Sequence, residues 1–410
     1  MAQRLITGLD IGTNNLKAVI AEVRKDGKTN LVKLVKMASG GMRKGRIDDL
    51  AEMTRSLNIM LSDVKKISRD ATRNIFLNVG DSDVHVQSSR GIVAVSRADN
   101  EVFQDDVDRA VQASQAINMP ANRMVLHAIT REFIVDGMGD IRDPLGMLGN
   151  RLEVNSLIVD AFTPSVRNLT RCVEMAGATV GGLIFSPLAA ARAVLTKNQK
   201  DLGVALVDIG FGTTSLCVYE EGKLLHASVF PVGSGNITND LAIGLQTSLD
   251  VAEAVKLTFG SASLKGSSGR EQIDLRKIDP SAHGTISRRQ IANIIEVRLA
   301  EIFEFVNNEL NVIGKGGKLP AGIVLVGGGA KLPGIVDCAK DEIKLPVQIG
   351  VPDTSSIEMQ NGEMSLQIED PQFASAIGLL LSGRDRLFEE GTPGTSITVS
   401  LKNLFRNLLP

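Results

Sequence analysis

The sequence predicts an α/β protein made of two similar lobes, with a smaller α+β domain inserted between them. Three observations lead to this fold class. An apolar strand pattern that ends in Asp-Ile-Gly and continues into a hairpin pattern occurs twice, at Asp10 and at Asp208, which indicates an internal duplication. Strand patterns alternate with helical patterns in both halves. Between residues 83 and 162, short strand patterns surround a single helix pattern.

Composition narrows the class of protein. The chain has 410 residues, enough for two to three domains at about 150 residues each. Hydrophobic residues make up 43% and charged residues 22%, as in soluble globular proteins. Lys plus Arg is 45 and Asp plus Glu is 47, so the formal net charge of −2 gives no general electrostatic reason to bind nucleic acid.

Cysteine, histidine and hydropathy patterns exclude further classes. The three cysteines lie far apart and the four histidines lack metal-ligand spacing, so we expect neither a disulfide framework nor a zinc site. No apolar run reaches the ~18 residues that span a bilayer, and the N-terminus lacks a signal-peptide pattern. We therefore expect a cytoplasmic protein, unless its C-terminal segment binds a membrane.

The elements of the first half follow from their periodicity. Strands are predicted at 5–10, 16–23, 31–37 and 75–79, and Asp48 or Asp49 can cap a helix that runs to about residue 66. In the insertion we expect strands at 84–87, 92–95, 124–129, 133–136 and 154–162, with a helix at 105–117. A helix at 164–177, a strand at 180–185 and a helix at 188–195 follow.

The second half repeats the opening pattern. Strands are predicted at 204–210, 215–219, 223–230 and 322–326, and helices at 241–260, 288–312 and 373–381. Residues 261–269 are rich in Ser and Gly and predict a loop. Residues 384–399 have the composition of a polar linker.

Two glycine-bearing turns are candidate phosphate loops. Each begins with an Asp at a strand end, and glycine lets backbone N–H groups approach phosphate oxygens. A carboxylate there can hold a hydrated Mg²⁺, since this ion keeps several of its waters. The alternative is a tight turn with a satisfied Asp. The first set is Asp10, Gly12, Thr13, Asn14 and Lys17, and the second is Asp208, Gly210, Gly212, Thr213 and Thr214.

A third glycine cluster and a charged helix are candidates for holding a nucleoside. Gly327, Gly328 and Gly329 follow a strand, so a flat group such as adenine or ribose could approach the backbone closely. A loop that merely enters a helix is the alternative. Glu253 and Lys256 share a helix face at i and i+3, where they could clamp ribose and base or form a surface ion pair.

The order of these pieces is more informative than any one of them. The pieces follow one another in the order found in the actin-like ATPases. This order is phosphate loop, insertion, Ser186-Pro187 helix, second phosphate loop, charged helix and glycine cluster. Over nearly its whole length, the chain resembles the FtsA family of bacterial cell-division proteins. The stretches that carry this resemblance are 9–13, 42–50, 123–129, 207–210, 321–329 and 373–379, together with the insertion, the linker and a short amphipathic tail.

The resemblance implies an actin-like ATPase fold, with two duplicated ribonuclease-H-like lobes around a cleft for ATP and Mg²⁺. Asp10 and Asp208 would reach the metal through water, and Gly235 and Asn236 would face the nucleotide. The implied domains are 1A (1–82 and 163–198), the SHS2-like insertion 1C (83–162), 2A (199–235 and 320–383), 2B (236–319), a linker (384–399) and a membrane-targeting helix (400–410).

The resemblance also implies a cellular role. Such proteins polymerise on the cytoplasmic face of the cell membrane and anchor FtsZ filaments at the division septum. The expected partners are the FtsZ C-terminal tail, further copies of this chain, the membrane surface and other division proteins. Nucleic acid is not an expected partner.

One position departs from the wider superfamily. Many actin-like ATPases carry a Glu or Gln near the Pro-x-Ala-Ala helix, where it orients the attacking water. Ser186 stands there in this chain, and a hydroxyl is a poor general base at its usual pKa. We predict slow or undetectable ATP hydrolysis, with ATP acting mainly as an assembly switch.

A basic helix is the candidate site for the FtsZ tail. The helix at 288–312 carries Arg288, Arg289 and Arg298 beside an apolar stripe. Arg298 matches an arginine of the family's Ile-Glu-x-Arg segment, and arginine forms charge-assisted bonds with a carboxylate-bearing peptide. An ordinary amphipathic helix with solvated charges is the alternative.

The last eleven residues form a short amphipathic pattern. Its apolar positions fall on one stripe of a helix, with Lys402 and Arg406 on the other side, which suits the interface of an anionic bilayer. A tail docked on the protein's own core is the alternative. The stripe is Leu401, Leu404, Phe405, Leu408 and Leu409.

Three other functions share this fold. A PilM-type pilus-assembly adaptor would lack the membrane tail and carry a groove for a partner peptide. A sugar kinase would need a catalytic Asp in the first lobe and a larger sugar-binding insertion. A DnaK-type chaperone is disfavoured because no substrate-binding domain follows the ATPase core.

Overall fold

The computed structural model describes residues 4–24, 28–263, 272–280, 284–359 and 362–390. Its strands are β1 (Arg4–Ile11), β2 (Asn15–Val23), β3 (Thr29–Ala38), β4 (Met42–Arg43), β5 (Arg46–Ile47), β6 (Ile75–Val79), β7 (His85–Ala94), β8 (Arg123–Val135), β9 (Met138–Ile141), β10 (Arg151–Phe162), β11 (Val180–Phe185), β12 (Val204–Ile209), β13 (Thr214–Glu220), β14 (Lys223–Phe230), β15 (Gln272–Asp274), β16 (Thr285–Ser287), β17 (Ile323–Val326), β18 (Val347–Ile349) and β19 (Ile357–Glu358). Its α-helices are α1 (Leu50–Ile67), α2 (Gln104–Gln115), α3 (Thr163–Met175), α4 (Ser186–Val194), α5 (Lys197–Leu202), α6 (Ser234–Leu245), α7 (Leu249–Phe259), α8 (Arg288–Val312), α9 (Ile335–Ile343), α10 (Gly362–Ile368) and α11 (Ala374–Glu390).

A six-stranded sheet forms the first lobe, with the order β11-β6-β1-β2-β3-β19. β1 runs antiparallel to β2 and parallel to β6, and β11 is parallel to β6. Most residues of β1 and β2 are buried, because α1 and α11 pack against this part of the sheet. The predicted strands of this half are confirmed, and Asp49 is the residue that caps α1.

The sheet of the second lobe repeats this arrangement. Its order is β14-β13-β12-β17-β18, with β12 antiparallel to β13 and parallel to β17. β12, β13 and β17 thus occupy the places that β1, β2 and β6 hold in the first sheet. The duplication predicted from the two Asp-Ile-Gly turns is confirmed by this topology.

The insertion is a separate antiparallel sheet, β7-β10-β8-β9, covered by α2. It has its own small core, which includes Val135, Leu152 and Val154. The predicted α+β character is confirmed, but the four short strands expected at 84–87, 92–95, 124–129 and 133–136 are two long ones, β7 and β8. Gly91 does not end β7; it makes room for α2, since an added Cβ would lie 2.1 Å from the Ala110 carbonyl oxygen.

Helices α4 and α11 lie between the two large sheets. α4 contacts β12 and β13 of the second sheet, whereas α11 packs on β1, β2 and β6 of the first. The two helices cross so closely that a Cβ on Gly378 would lie 1.7 Å from the Ala189 carbonyl oxygen. β19 pairs with β3, so the chain contacts the first sheet again at Ile357–Glu358, within the predicted domain 2A. The boundaries of the folded domains stay predictions.

The predicted linker begins later than residue 384, because α11 continues to Glu390. Polar side chains that suggested a linker make specific contacts: Arg192 donates to Asp385 at 2.9 Å, and Arg386 donates to the Gly181 carbonyl at 2.7 Å. The rest of the linker and the predicted membrane helix at 400–410 lie outside the described residues. Within the described ranges, no helix is long and apolar enough to cross a membrane.

Candidate nucleotide-binding site

A cleft of about 530 Å³ opens between the lobes, next to the carboxyl ends of β1, β6, β12 and β17. This volume is typical of small-molecule sites, and the carboxyl ends of parallel strands are where such sites form in α/β sheets. Most residues predicted from the sequence line this cleft together: Asp10, Gly12, Thr13, Asn14, Lys17, Asp208, Gly210, Gly212, Thr213, Glu253, Lys256, Gly327, Gly328 and Gly329.

The loop of the first lobe is built around Asp10. Lys17 lies directly opposite Asp10 in the β1–β2 register, and its Nζ donates to the carboxylate at 2.6 Å. Asn78 donates to the other carboxylate oxygen at 2.9 Å and accepts the Ile11 N–H at 2.7 Å. The Gly12 N–H closes the turn on the Asn15 carbonyl at 3.1 Å. The carboxylate is therefore fixed by one cation and one amide.

The loop of the second lobe has the same backbone but different electrostatics. The Gly210 N–H donates to the Thr213 carbonyl at 2.9 Å, as Gly12 does in the first loop. Asp208 accepts a hydrogen bond from Ser375 at 3.0 Å and has no ion-pair partner within the described part of the chain. Burial, with a smaller contribution from the charge of Asp10, raises the pKa of Asp208 to about 6.

The charged helix α7 presents a buried pair rather than a surface pair. Lys256 is 5% exposed and donates to Glu253 at 2.6 Å, to Thr238 at 2.8 Å and to the Ser234 carbonyl at 3.1 Å. Burial lowers the pKa of Lys256, opposed by the hydrogen bond and charge of Glu253. These contacts tie α7 to α6 at the edge of the cleft, and they exclude the solvated pair considered above.

The glycine cluster after β17 lies against the second loop. Gly327 has φ of +86°, and a Cβ there would lie 2.2 Å from Oδ1 of Asp208. A Cβ on Gly329 would lie 2.4 Å from the Ile209 side chain, whereas at Gly328 no atom lies within 4 Å. Two of the three glycines are therefore required by close packing, and the third leaves open space.

Three predicted residues do not line the cleft. Thr214 begins β13 with its side chain fully buried. Gly235 packs under the Phe211 ring, with a Cβ position 2.6 Å from a ring carbon. Asn236 accepts the Gly233 N–H at 3.1 Å and so caps α6. All three support the second loop from behind.

The arginines proposed for a peptide lie away from the cleft lining, on α8. Arg288 and Arg289 form the first turn of this helix. Arg298 is partly buried, donates to Asp240 at 2.9 Å and also bonds Glu301. The hydrogen bond with Asp240, despite partial burial, raises the pKa of Arg298.

Several cleft residues were not predicted as site residues. Asn78 lies in β6 and Asp81 two residues after it, and the β4–β5 hairpin reaches the first loop, where the Gly45 N–H donates to Thr13 Oγ1 at 3.1 Å. The signal for Asn78 and Asp81 was their place at the end of a predicted strand. That β6 pairs with β1 was not visible in the local pattern.

Solved structures with similar folds belong to actin-like proteins. The chain is similar to one in a PilM–PilN type IV pilus biogenesis complex, with a TM-score of 0.66, 20% identity, and coverage of 93% of this chain and 99% of that chain. It is also similar to MreB5 of Spiroplasma citri bound to ADP, with a TM-score of 0.56, 15% identity, and coverage of 95% and 99%. The protein thus has the actin-like nucleotide-binding fold.

Family comparisons give a narrower assignment. A family model of the cell division protein FtsA matches residues 205–378, and a model of the SHS2 domain inserted in FtsA matches residues 81–160. Cell division protein FtsA of Bacillus subtilis (strain 168) is 35% identical, covering 92% of this chain and 82% of the relative. FtsA of Neisseria meningitidis serogroup B is also 35% identical, covering 92% and 90%. The chain belongs to the FtsA family of cell division proteins.

Proposed function

We propose that this protein binds ATP with Mg²⁺ in the cleft, and that nucleotide binding controls its assembly into filaments. The carboxylates of Asp10 and Asp208 come from equivalent turns of the two lobes and line the same cleft. Lys17 stands next to Asp10, and the glycine turns supply backbone N–H groups that suit phosphates. The likeness in fold to an MreB5 bound to ADP agrees with this assignment.

The same proposal extends to the cell. The filaments would lie on the cytoplasmic face of the bacterial membrane at the division septum, and they would anchor FtsZ there. Other division proteins would bind at the same place. The observation that carries this part is the similarity to FtsA relatives over 92% of the chain, together with the match to the inserted domain. The tail pattern at 400–410 supplies the membrane contact, and a filament would raise its avidity by arraying many copies.

Co-sedimentation with anionic liposomes tests this proposal. The full chain should pellet with liposomes in the presence of ATP and Mg²⁺, and should carry an FtsZ-tail peptide with it. A chain that lacks 400–410, or one with Leu404→Asp and Phe405→Asp, should stay in the supernatant while still binding ATP. If the truncated chain pellets equally well, the anchor lies elsewhere; if neither chain binds ATP, the cleft assignment fails.

For the FtsZ tail we propose the surface of α8 around Arg298. This guanidinium is already bonded by Asp240 and Glu301, so a peptide carboxylate would have to share or replace those partners. Arg298→Glu should weaken tail-peptide binding at least about tenfold, which is the effect expected for a lost charge-assisted bond plus repulsion. Fluorescence anisotropy with a labelled tail peptide measures this effect.

Two controls make the result interpretable. Arg298→Gln removes the charge without adding a carboxylate beside Asp240, so it separates lost attraction from local repulsion. ATP affinity should be unchanged in both variants, because Arg298 does not line the cleft. Loss of both activities, or of neither, counts against this surface.

A further inference from the structure

Three neighbouring parallel strands end at the wall of the cleft in the first lobe. In the sheet order β11-β6-β1, Leu9 pairs with Leu77 and Phe185 pairs with Val79. The residues at and just beyond the ends of these strands therefore share one edge. They include Asp10 near the end of β1, Asp81 two residues after β6 and Ser186 directly after β11, and all three line the cleft.

Ser186 has unused hydrogen-bonding capacity. The residue is 9% exposed, and its hydroxyl has no hydrogen-bond partner among the residues that the structure describes. The hydroxyl lies against Gly80, where an added Cβ would sit 2.2 Å from Oγ. Buried polar groups are normally hydrogen-bonded, so we expect this hydroxyl to bond a water molecule or a ligand oxygen in the cleft.

Asp81 follows Gly80 directly and places a second polar group on this wall. It is 4% exposed, and Oδ1 accepts the Asp83 N–H at 2.9 Å, which fixes its orientation. Burial, with a smaller contribution from the negative charge of Asp83, raises the pKa of Asp81, while hydrogen bonds from the Asp83 backbone and Ser165 and the charge of Arg46 act in the opposite direction. Asp83 itself is paired with Arg46, so Asp81 is the carboxylate here that faces the cleft.

We propose that Asp81 and Ser186 hold the water that attacks the γ-phosphorus of bound ATP, with Asp81 as the base. This inference rests on the proposed binding of ATP in the cleft. The water oxygen forms a bond to the γ-phosphorus, its proton passes to Asp81, and the bond from phosphorus to the β–γ bridging oxygen breaks. The products are ADP and phosphate. Ser186 orients the water but cannot accept its proton, so Asp81 acts as the base in place of a carboxylate at position 186, and hydrolysis is expected to be slow but measurable.

Single-turnover phosphate release tests this assignment, alongside ATP affinity measured by calorimetry on the same samples. Asp81→Asn should slow phosphate release by about 100-fold, which is the low end for a lost general base. Its ATP affinity should stay within about threefold, because the amide keeps the size of the carboxylate. Asp81→Glu should restore part of the rate. Asp63→Asn, which alters an exposed carboxylate on α1 outside the cleft lining, serves as the matched control and should hydrolyse ATP within about threefold of the wild-type rate.

Two further readouts separate a base from a structural residue. The wild-type rate should fall as pH drops through the raised pKa of Asp81, and this fall should be absent in Asp81→Asn. A crystal structure with a non-hydrolysable ATP analogue should show a water bonded to both Asp81 and Ser186. If Asp81→Asn fails to fold, Ser186→Ala with the same crystal experiment takes its place, and loss of that water is expected.

The outcomes distinguish the two proposals. A wild-type protein that binds ATP but releases no phosphate, or an Asp81→Asn variant that hydrolyses at the wild-type rate, overturns the role of Asp81 and leaves ATP binding intact. A crystal structure that lacks the water also overturns it. A wild-type protein that binds no ATP overturns the proposed function, and this inference falls with it.

Discussion

The two Asp-Ile-Gly loops share a backbone conformation and differ in charge. Both begin with Asp-Ile-Gly, and in both the glycine N–H bonds the carbonyl three residues further on. The strand register is also the same, but the residue opposite Asp10 is Lys17, whereas the residue opposite Asp208 is Ser215. The duplication therefore kept the turn and changed the partner of the carboxylate.

This difference assigns different tasks to the two carboxylates. Asp10 is held by Lys17 and Asn78 before any ligand arrives. Among the described residues, Asp208 has Ser375 as its one hydrogen-bond partner, and burial, with a smaller contribution from the charge of Asp10, raises its pKa to about 6. A bound cation would supply the charge that the second loop lacks. We thus expect the second loop to depend on its ligand more strongly than the first loop does.

The largest effect is expected from removing the carboxylate of the second loop. Asp208→Ala should abolish binding of Mg²⁺·ATP, a loss of at least about 100-fold, because no other carboxylate of this loop can replace it. Calorimetric titration measures the loss, and Ser375→Ala provides the milder control. An unchanged affinity in Asp208→Ala would remove Asp208 from the site.

The two carboxylates should have opposite effects on stability without ligand. Folding raises the pKa of Asp208 from its ordinary value of 3.8 to about 6, so the folded state binds more protons than the unfolded state between these values. The contribution of this group to stability is thus lost as pH rises from about 4 to 6. Asp208→Asn should raise the free energy of unfolding above pH 6 by roughly 1–3 kcal/mol, since one pKa unit corresponds to about 1.4 kcal/mol.

Asp10→Asn should instead lower the free energy of unfolding by about 1–3 kcal/mol, because it leaves the nearly buried Lys17 ammonium without its carboxylate. Urea unfolding at pH 4.5 and pH 7.5, in the presence of a chelator, measures both variants. The gain from Asp208→Asn should shrink at the lower pH. Variants that shift stability in the same direction would refute the contrast between the loops.

A smaller effect is expected where the second loop meets the β4–β5 hairpin. A Cβ on Gly212 would lie 2.5 Å from Thr13 Oγ1 and 3.0 Å from the Lys44 Cα. Gly212→Ala should weaken ATP binding a few-fold and lower stability by about 1 kcal/mol, the low end for overpacking. Gly328→Ala, which meets no atom within 4 Å, is the matched control for stability in the absence of nucleotide. Equal stability of the two variants would argue against contact between hairpin and loop.

Much of the fold was predictable because its signals are local. Apolar runs bounded by turn residues gave β6 and β11, and the repeated Asp-Ile-Gly turns gave the two lobes and both loops. Other features depend on pairing between distant segments. Asn78 reaches Asp10 only because β6 lies beside β1, and the separation of 68 positions leaves no local pattern to detect.

Local patterns do not reveal which partner a side chain meets. Lys17 was predicted as a phosphate-loop residue, which stays a prediction, and in the structure its Nζ donates to Asp10. The polar residues after 383 suggested a linker, but α11 continues to Glu390, and Asp385 and Arg386 within it bond Arg192 and the Gly181 carbonyl. In each case the side chain has the predicted chemistry, and the fold determines which partner it meets.

The path of α11 has a mechanical consequence. This helix packs on the sheet of the first lobe and ends at Glu390. A force applied to the residues after Glu390 would therefore be transmitted to the first lobe. Nine residues separate the end of α11 from position 400, and a chain of that length spans at most about 30 Å. If that tail rests on a bilayer, the first lobe is the tethered half. The second lobe, which carries α8, would then be the half that moves relative to the membrane. Closure of the cleft would change the distance between the membrane and a partner bound to α8.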